Sequence, residues 1–284
     1  MAAALILALP APAPAATAAK KPAASAKTQT SAKFTAGLAA FDKKDYAAAL
    51  ALWKPLADQG SAEAQFYLGA LYSNGLGVPM DYEAAASWFR KAADQGDARG
   101  QFNLGGMYDS GIGEKQDYAA AALWYRRSAD QGFADAQFNL GVLYLNGLGM
   151  PQNSATAAGW MRKAAQQGNP GAQHNLGVMY ENGQGVAQDY AAAAGWYEKA
   201  ARQGYPEAQF NLAVLYANGQ GVMQDAVQAH RWFNLASTLA PQPETRAQAA
   251  KNRDLLSAQM TPDQLERAKA LAAKCEGSNF KGCE

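Results

Sequence analysis

Histidine and cysteine are almost absent from this chain, with two of each in 284 residues. His174 and His230 stand far apart and have no Cys-x-x-Cys or His-x-x-x-His partner, so the spacing of a metal site is missing. No metal and no cofactor is expected. Charge of one sign is equally scarce. Twenty-five basic residues face 24 acidic ones, a net charge of +1, which argues against a strongly basic face and against nucleic acid as a partner. Long apolar runs are missing too. Met1 to Leu9, MAAALILAL, is too short to span a bilayer, so no integral membrane segment is expected. Small residues with A-x-A-like sites near Ala13 to Ala19 follow it, and residues 1–19 read as a secretory signal. No Lys or Arg precedes the apolar run, which leaves open a start further upstream or an accidental likeness. The expected location is periplasmic or secreted, with cytoplasmic as the alternative. Residues 20–33, rich in Ala and Lys, read as a disordered linker.

Both cysteines, Cys275 and Cys283, fall in the last ten residues, in KCEGSNFKGCE. Gly277 and Gly282 let the chain turn between them. In an oxidising compartment a small terminal disulfide loop is the natural reading, in agreement with the signal-like start. Two free thiols on a frayed tail are the alternative.

What the chain has in abundance is a period. Gln65, Gln101, Gln137, Gln173 and Gln209 open QFYLG, QFNLG, QFNLG, QHNLG and QFNLA, each 36 residues after the last. Trp88, Trp124, Trp160, Trp196 and Trp232 share one register, as do Tyr72, Tyr108, Tyr144, Tyr180 and Tyr216. Each unit reads as a helical hairpin. In the second unit, helix A runs from Ala98 to Ser110, with Leu104, Met107 and Tyr108 at helical spacing and Asp97 as N-cap. It ends at Gly111, where glycine can take the left-handed conformation that closes a helix. Helix B starts after Asp117, an N-cap repeated as Asp81, Asn153, Asp189 and Asp225, and runs to Gln131. Gly69, Gly105, Gly141 and Gly177 inside helix A each cost about 1 kcal/mol relative to alanine, so their recurrence points to close approach by a neighbouring helix. One hairpin cannot bury its apolar face alone, but a stack can.

The expected fold is therefore all-α, a right-handed α-solenoid of 36-residue helical hairpins with terminal capping helices. Residues 34–60 read as a shortened N-terminal capping hairpin whose Trp53 sits one position off the tryptophan column. Five repeats fill 61–240. Residues 241–284 supply capping helices and the cysteine loop, with Thr261, Pro262 and Gln264 forming the start of the last helix.

AQHNLGVMYENGQGVAQDYAAAAGWYEKAARQG, Ala172 to Gly204, resembles the consensus of the SEL-one-like repeat family, relatives of tetratricopeptide repeats. The resemblance covers about Ser61 to Ala240. It implies a binding scaffold in signalling regulation or envelope assembly, and it identifies architecture rather than partner. By analogy with tetratricopeptide repeats, helices A line a concave face that holds a protein or peptide partner. Asn103, Asn139, Asn175 and Asn211 form a column there, with Tyr67 in the first unit. An asparagine amide offers donor and acceptor to an extended peptide, although hydrogen bonding within the repeat would explain the column equally. Ser73, Asp109, Leu145, Glu181 and Ala217 vary between units and are candidates for partner specificity.

Three motifs suggest chemistry. Gly106 and Gly111 have the outer spacing of a phosphate loop, but Ile112 and Gly113 stand where Lys and Ser/Thr are required, and the segment follows a helix rather than a strand. His174 replaces the phenylalanine of Phe66, Phe102, Phe138 and Phe210, which suits a ring at a helix contact; His230 is expected on an exposed part of helix B. Ser278 and Lys281 match S-x-x-K, the nucleophile pair of penicillin-recognising enzymes. Some cysteine-rich relatives in the repeat family are linked to β-lactams, yet they carry cysteine pairs inside each repeat and this chain has none there. The expected function is a non-catalytic binding module, with an envelope-associated enzyme of the β-lactam- or cell-wall-acting type as the alternative.

Overall fold

The computed structural model describes residues 26–278 together with 280 and 283. The signal-like segment 1–19 lies outside the described residues. Among the latter there are fourteen helices and no strand. Six hairpins come first: α1 (Ala26–Asp42) with α2 (Tyr46–Asp58), α3 (Ala62–Asn74) with α4 (Tyr82–Asp94), α5 (Ala98–Ser110) with α6 (Tyr118–Asp130), α7 (Ala134–Asn146) with α8 (Ser154–Gln166), α9 (Pro170–Asn182) with α10 (Tyr190–Ala201), and α11 (Pro206–Asn218) with α12 (Ala226–Leu239). Then α13 (Pro243–Ser257) and α14 (Pro262–Gly277) both pack on α12. The chain divides into two compact units, 1–136 with 148–150 and 137–147 with 151–284.

Sequence reading and structure part company at the start of the first unit. Helix α1 begins at Ala26, inside the stretch read as linker, and the Thr35 hydroxyl donates to the Ser31 carbonyl one turn back. Alanine and lysine are good helix formers, and a linker composition does not prevent helix once the following turns are docked.

The five hairpins from α3 to α12 are closed by similar local devices. The Asp117 carboxylate caps α6 by accepting from the Ala119 and Ala120 amides, both at 2.9 Å. Its own N–H returns to the Tyr108 carbonyl at 2.9 Å, and Asp81, Asn153, Asp189 and Asp225 bond Tyr72, Tyr144, Tyr180 and Tyr216 likewise. Gly111 supplies the left-handed step between the helices, at φ 72°. The Gln116 amide then reaches back to the Asp109 carbonyl at 2.8 Å. The polar groups of the glycine-rich loop are thus engaged in reversing the chain.

Packing within a hairpin rests on the residue after the tryptophan. Phe89, Tyr125, Met161, Tyr197 and Phe233 are almost completely buried, whereas Trp88 and Trp196 are only half-buried. The cations Lys91, Arg127, Lys163 and Lys199 lie over the indoles of Trp88, Trp124, Trp160 and Trp196 at 3.9 to 4.4 Å from the ring centre, one helical turn along. Trp53 belongs to the deeper column. It is 0 % exposed, and its indole N–H donates to the Phe34 carbonyl at 3.2 Å. The glycine inside helix A faces this same column: a Cβ on Gly105 would meet Tyr125 Cδ1 at 2.7 Å. The close approach is therefore a ring of the partner helix in the same hairpin.

A buried glutamine joins successive hairpins. Gln101 donates to the Ala93 carbonyl of the preceding helix B at 3.1 Å and accepts from Gln131 at 2.8 Å. Gln65 and Gln173 repeat both bonds. At the fifth position Leu239 stands where the others have a glutamine, and Gln209 Oε1 is buried with no partner among the described residues.

At the C-terminus Thr261 and Gln264 form the expected reciprocal capping box. Cys275 and Cys283 are disulfide-bonded and buried. The guanidinium of buried Arg231 donates to the Cys283 carbonyl at 3.0 Å.

Candidate functional site

The helix-A column has different surroundings in the two units. In the first unit Tyr67 is 6 % exposed and stacks on Trp53 at 4.6 Å between ring centres. Phe34 and Phe41 close on it from other sides. Arg99, paired with Asp97 at 2.6 Å, lies over Phe66 and the edge of this cluster. Burial raises the Tyr67 hydroxyl above the ordinary phenol range. Asn103 is only 3 % exposed, and its amide donates to the Arg99 carbonyl of its own helix at 2.9 Å.

In the second unit the column is half-exposed. Asn139 on α7 is half-buried, and its amide has no hydrogen-bond partner among the described residues. Asn175 on α9 and Asn211 on α11 converge on one imidazole. Asn175 Oδ1 lies 3.1 Å from His174 Nδ1, and Asn211 Nδ2 lies 3.2 Å from His174 Nε2. Nearby, the Tyr197 hydroxyl donates to Glu181 Oε2 at 2.5 Å. The imidazole sits between the rings of Tyr197 and Tyr205, at 5.7 and 5.3 Å. Burial outweighs the neighbouring carboxylates of Glu181 and Glu207 and lowers the His174 pKa. Burial first, and then the Glu181 carboxylate, raise that of Tyr197.

Two of the positions expected to vary for partner specificity prove to be paired internally. Asp109 accepts from the Tyr125 hydroxyl at 3.2 Å, as Glu181 does from Tyr197. Where helix B carries Phe89, Met161 or Phe233 instead, the facing helix-A residue is Ser73, Leu145 or Ala217. The signal was present in the sequence: an acid accompanies tyrosine and only tyrosine. Burial pushes the Asp109 carboxyl above the usual carboxylate range, against the hydrogen bond from Tyr125.

His230, expected at the surface, is 1 % exposed. Helices α13 and α14 cover α12, and Ser257 Oγ meets His230 Nε2 at 3.0 Å while donating to the Arg253 carbonyl. The Ser278 hydroxyl donates to the Cys275 carbonyl at 3.0 Å; Lys281 lies outside the described residues. Among the described residues no three His, Cys, Asp or Glu side chains converge as metal ligands, and no helix is long and apolar enough to cross a membrane.

Comparison with known proteins agrees with the repeat period. The Sel1 repeat family model matches 37–61, 62–97, 98–133, 134–169, 170–205 and 206–240. The capping hairpin of the sequence reading is thus matched as a sixth, shorter repeat. A Sel1 repeat protein from Oxalobacter formigenes, of known crystal structure, is 32 % identical; the match covers 83 % of this chain and 96 % of that one, with a TM-score of 0.73. A protective antigen present in uropathogenic Escherichia coli strains, displaying an SLR fold, is 29 % identical over 88 % of this chain and 70 % of that one, with a TM-score of 0.48. Comparison with curated protein sequences returns no significant match.

Proposed function

The chain belongs to the Sel1 repeat family, and from that premise we propose that it is a non-catalytic scaffold that holds a protein or peptide partner in the periplasm or outside the cell. Sel1 repeats form protein-binding surfaces, and the face in question is carried by α7, α9 and α11. One observation carries the reading: Asn139, Asn175 and Asn211 recur at the repeat period in half-exposed positions, and the amide of Asn139 has no partner among the described residues. An amide held in such a place supplies both a donor and an acceptor to a polypeptide backbone. Asn103 and Tyr67 are spent on their own helix and on an aromatic cluster. Location outside the cytoplasm rests on the bonded, buried pair Cys275–Cys283 and on the signal-like start.

Site-directed photocrosslinking in the native cell tests the reading. A photoreactive residue at position 139 should trap a discrete protein partner, and the same residue at Leu123, 51 % exposed on helix B, should not. Equal trapping from both positions, or none from 139, would overturn it. Nitrocefin turnover that is lost in Ser278→Ala would overturn the scaffold reading in favour of the enzymatic alternative.

A further inference from the structure

The asparagine amides of the second unit are oriented by a histidine, and the orientation can be deduced link by link. A carboxylate only accepts, so the Tyr197 hydroxyl gives its proton to Glu181. The Nδ2 of Asn211 likewise can only donate, and it faces His174 Nε2 at 3.2 Å. With a donor opposite, Nε2 is the unprotonated nitrogen, and the imidazole proton sits on Nδ1. Nδ1–H donates to Asn175 Oδ1. One hydrogen of the Asn211 amide is used, and its Oδ1 is left to accept. At Asn175 the carbonyl oxygen is used, and its Nδ2 is left to donate.

We propose that His174 is a positioning residue of the partner-binding face, which sets Asn175 as a donor and Asn211 as an acceptor for the backbone of an extended peptide segment. The inference rests on the reading of the asparagine column as the binding face. A peptide in extended conformation presents outward carbonyls and N–H groups from alternate residues, and this pair of amides can engage one of each. The phenylalanine at the same place in the sister units, Phe66, Phe102, Phe138 and Phe210, can order neither amide.

A dependence on pH follows. Protonation of Nε2 sets a donor against the Asn211 amide donor, so the amide must rotate or let go, and its outward acceptor is lost. The charged groups acting on the ring are Glu181 on its own helix and Glu207 on α11, with the hydroxyls of Tyr197 and Tyr205 beside it. Because burial holds the imidazole below the ordinary histidine range, the change belongs to mild acid rather than to neutrality.

Two measurements on the full chain test this. In the first, nitrogen-resolved NMR compares wild type with His174→Phe, which installs the residue of the sister units and identifies the His174 signals against those of His230. The expected result is a proton on Nδ1 at neutral pH, with the Asn175 and Asn211 side-chain amides shifting together as His174 titrates. An Nε2–H tautomer, or amides indifferent to the titration, would overturn the inference whatever the binding data show. In the second, random dodecapeptides displayed on phage are selected on wild type at neutral pH. Bound peptides should lose roughly ten-fold in affinity in His174→Phe, the scale of one hydrogen bond left unmade. Wild-type affinity should fall by a similar factor in mild acid, while that of His174→Phe stays level. Peptides that need Asn175 and Asn211 but tolerate His174→Phe would refute the positioning role alone. Peptides indifferent to Asn139, Asn175 and Asn211 would refute the binding face itself.

Discussion

Replacing Gly105 by alanine improves intrinsic helix propensity by about 1 kcal/mol, yet it should destabilise the protein. The new Cβ would sit 2.7 Å from Tyr125 Cδ1 on a ring that is itself buried. Overpacking of this kind costs about 1–3 kcal/mol, and urea denaturation should show a net loss. An unchanged or raised midpoint would mean that the ring yields freely. At Asp109 the sign of a pH effect can be worked out. Its folded-state pKa is raised, so its contribution to stability is fully present below the unfolded value of about 3.9 and is lost as pH rises through the folded value. Asp109→Asn keeps an acceptor for Tyr125 and removes the charge. The variant should gain on wild type as pH rises from about 4 towards neutrality, by denaturant titration at each pH. A constant difference would contradict the burial of that carboxyl.

At the scale of the helix pair, the glutamine link makes a graded prediction. Gln101→Leu removes two hydrogen bonds, its own to the Ala93 carbonyl and the one it accepts from Gln131, which should cost about 1–3 kcal/mol. Gln209→Leu loses one bond, to the Ala201 carbonyl, and also removes an oxygen with no partner among the described residues. It should cost less than Gln101→Leu in parallel thermal or urea melts; an equal cost would show that the link carries no stability. The terminal disulfide belongs to this scale too. It holds Cys283 where its carbonyl accepts from buried Arg231. Cys275→Ser with Cys283→Ser should cost roughly 2–3 kcal/mol by the chain-entropy relation for so short a loop. Non-reducing and reducing melts of wild type should differ by the same amount.

Across the whole chain, what was legible in the sequence was what repeats. Helix A of the second repeat, with its cap and glycine stop, falls where its spacing places it, Ala98–Ser110. Register columns also place the asparagines along one series of helices. A column cannot tell whether an amide is already spent. Asn103 bonds the backbone one turn back, while Asn175 and Asn211 meet an imidazole that occurs in one repeat only. The burial of His230 was illegible because the helices covering α12 lie beyond the last repeat, where no sister unit offers a comparison. The acid–tyrosine pairs were visible in principle, but only when two columns sixteen residues apart are read together.

The central claim is that the α7–α9–α11 face binds a partner through its asparagines rather than merely stabilising the stack. Calorimetric titration of the partner trapped from position 139 into wild type and into Asn139→Ala with Asn175→Ala tests it most directly. The double variant should bind at least about ten-fold more weakly, with its melting temperature within about 3 °C of wild type. Undiminished affinity, with a melting temperature lowered well beyond that margin, would assign the column to the fold and contradict the account.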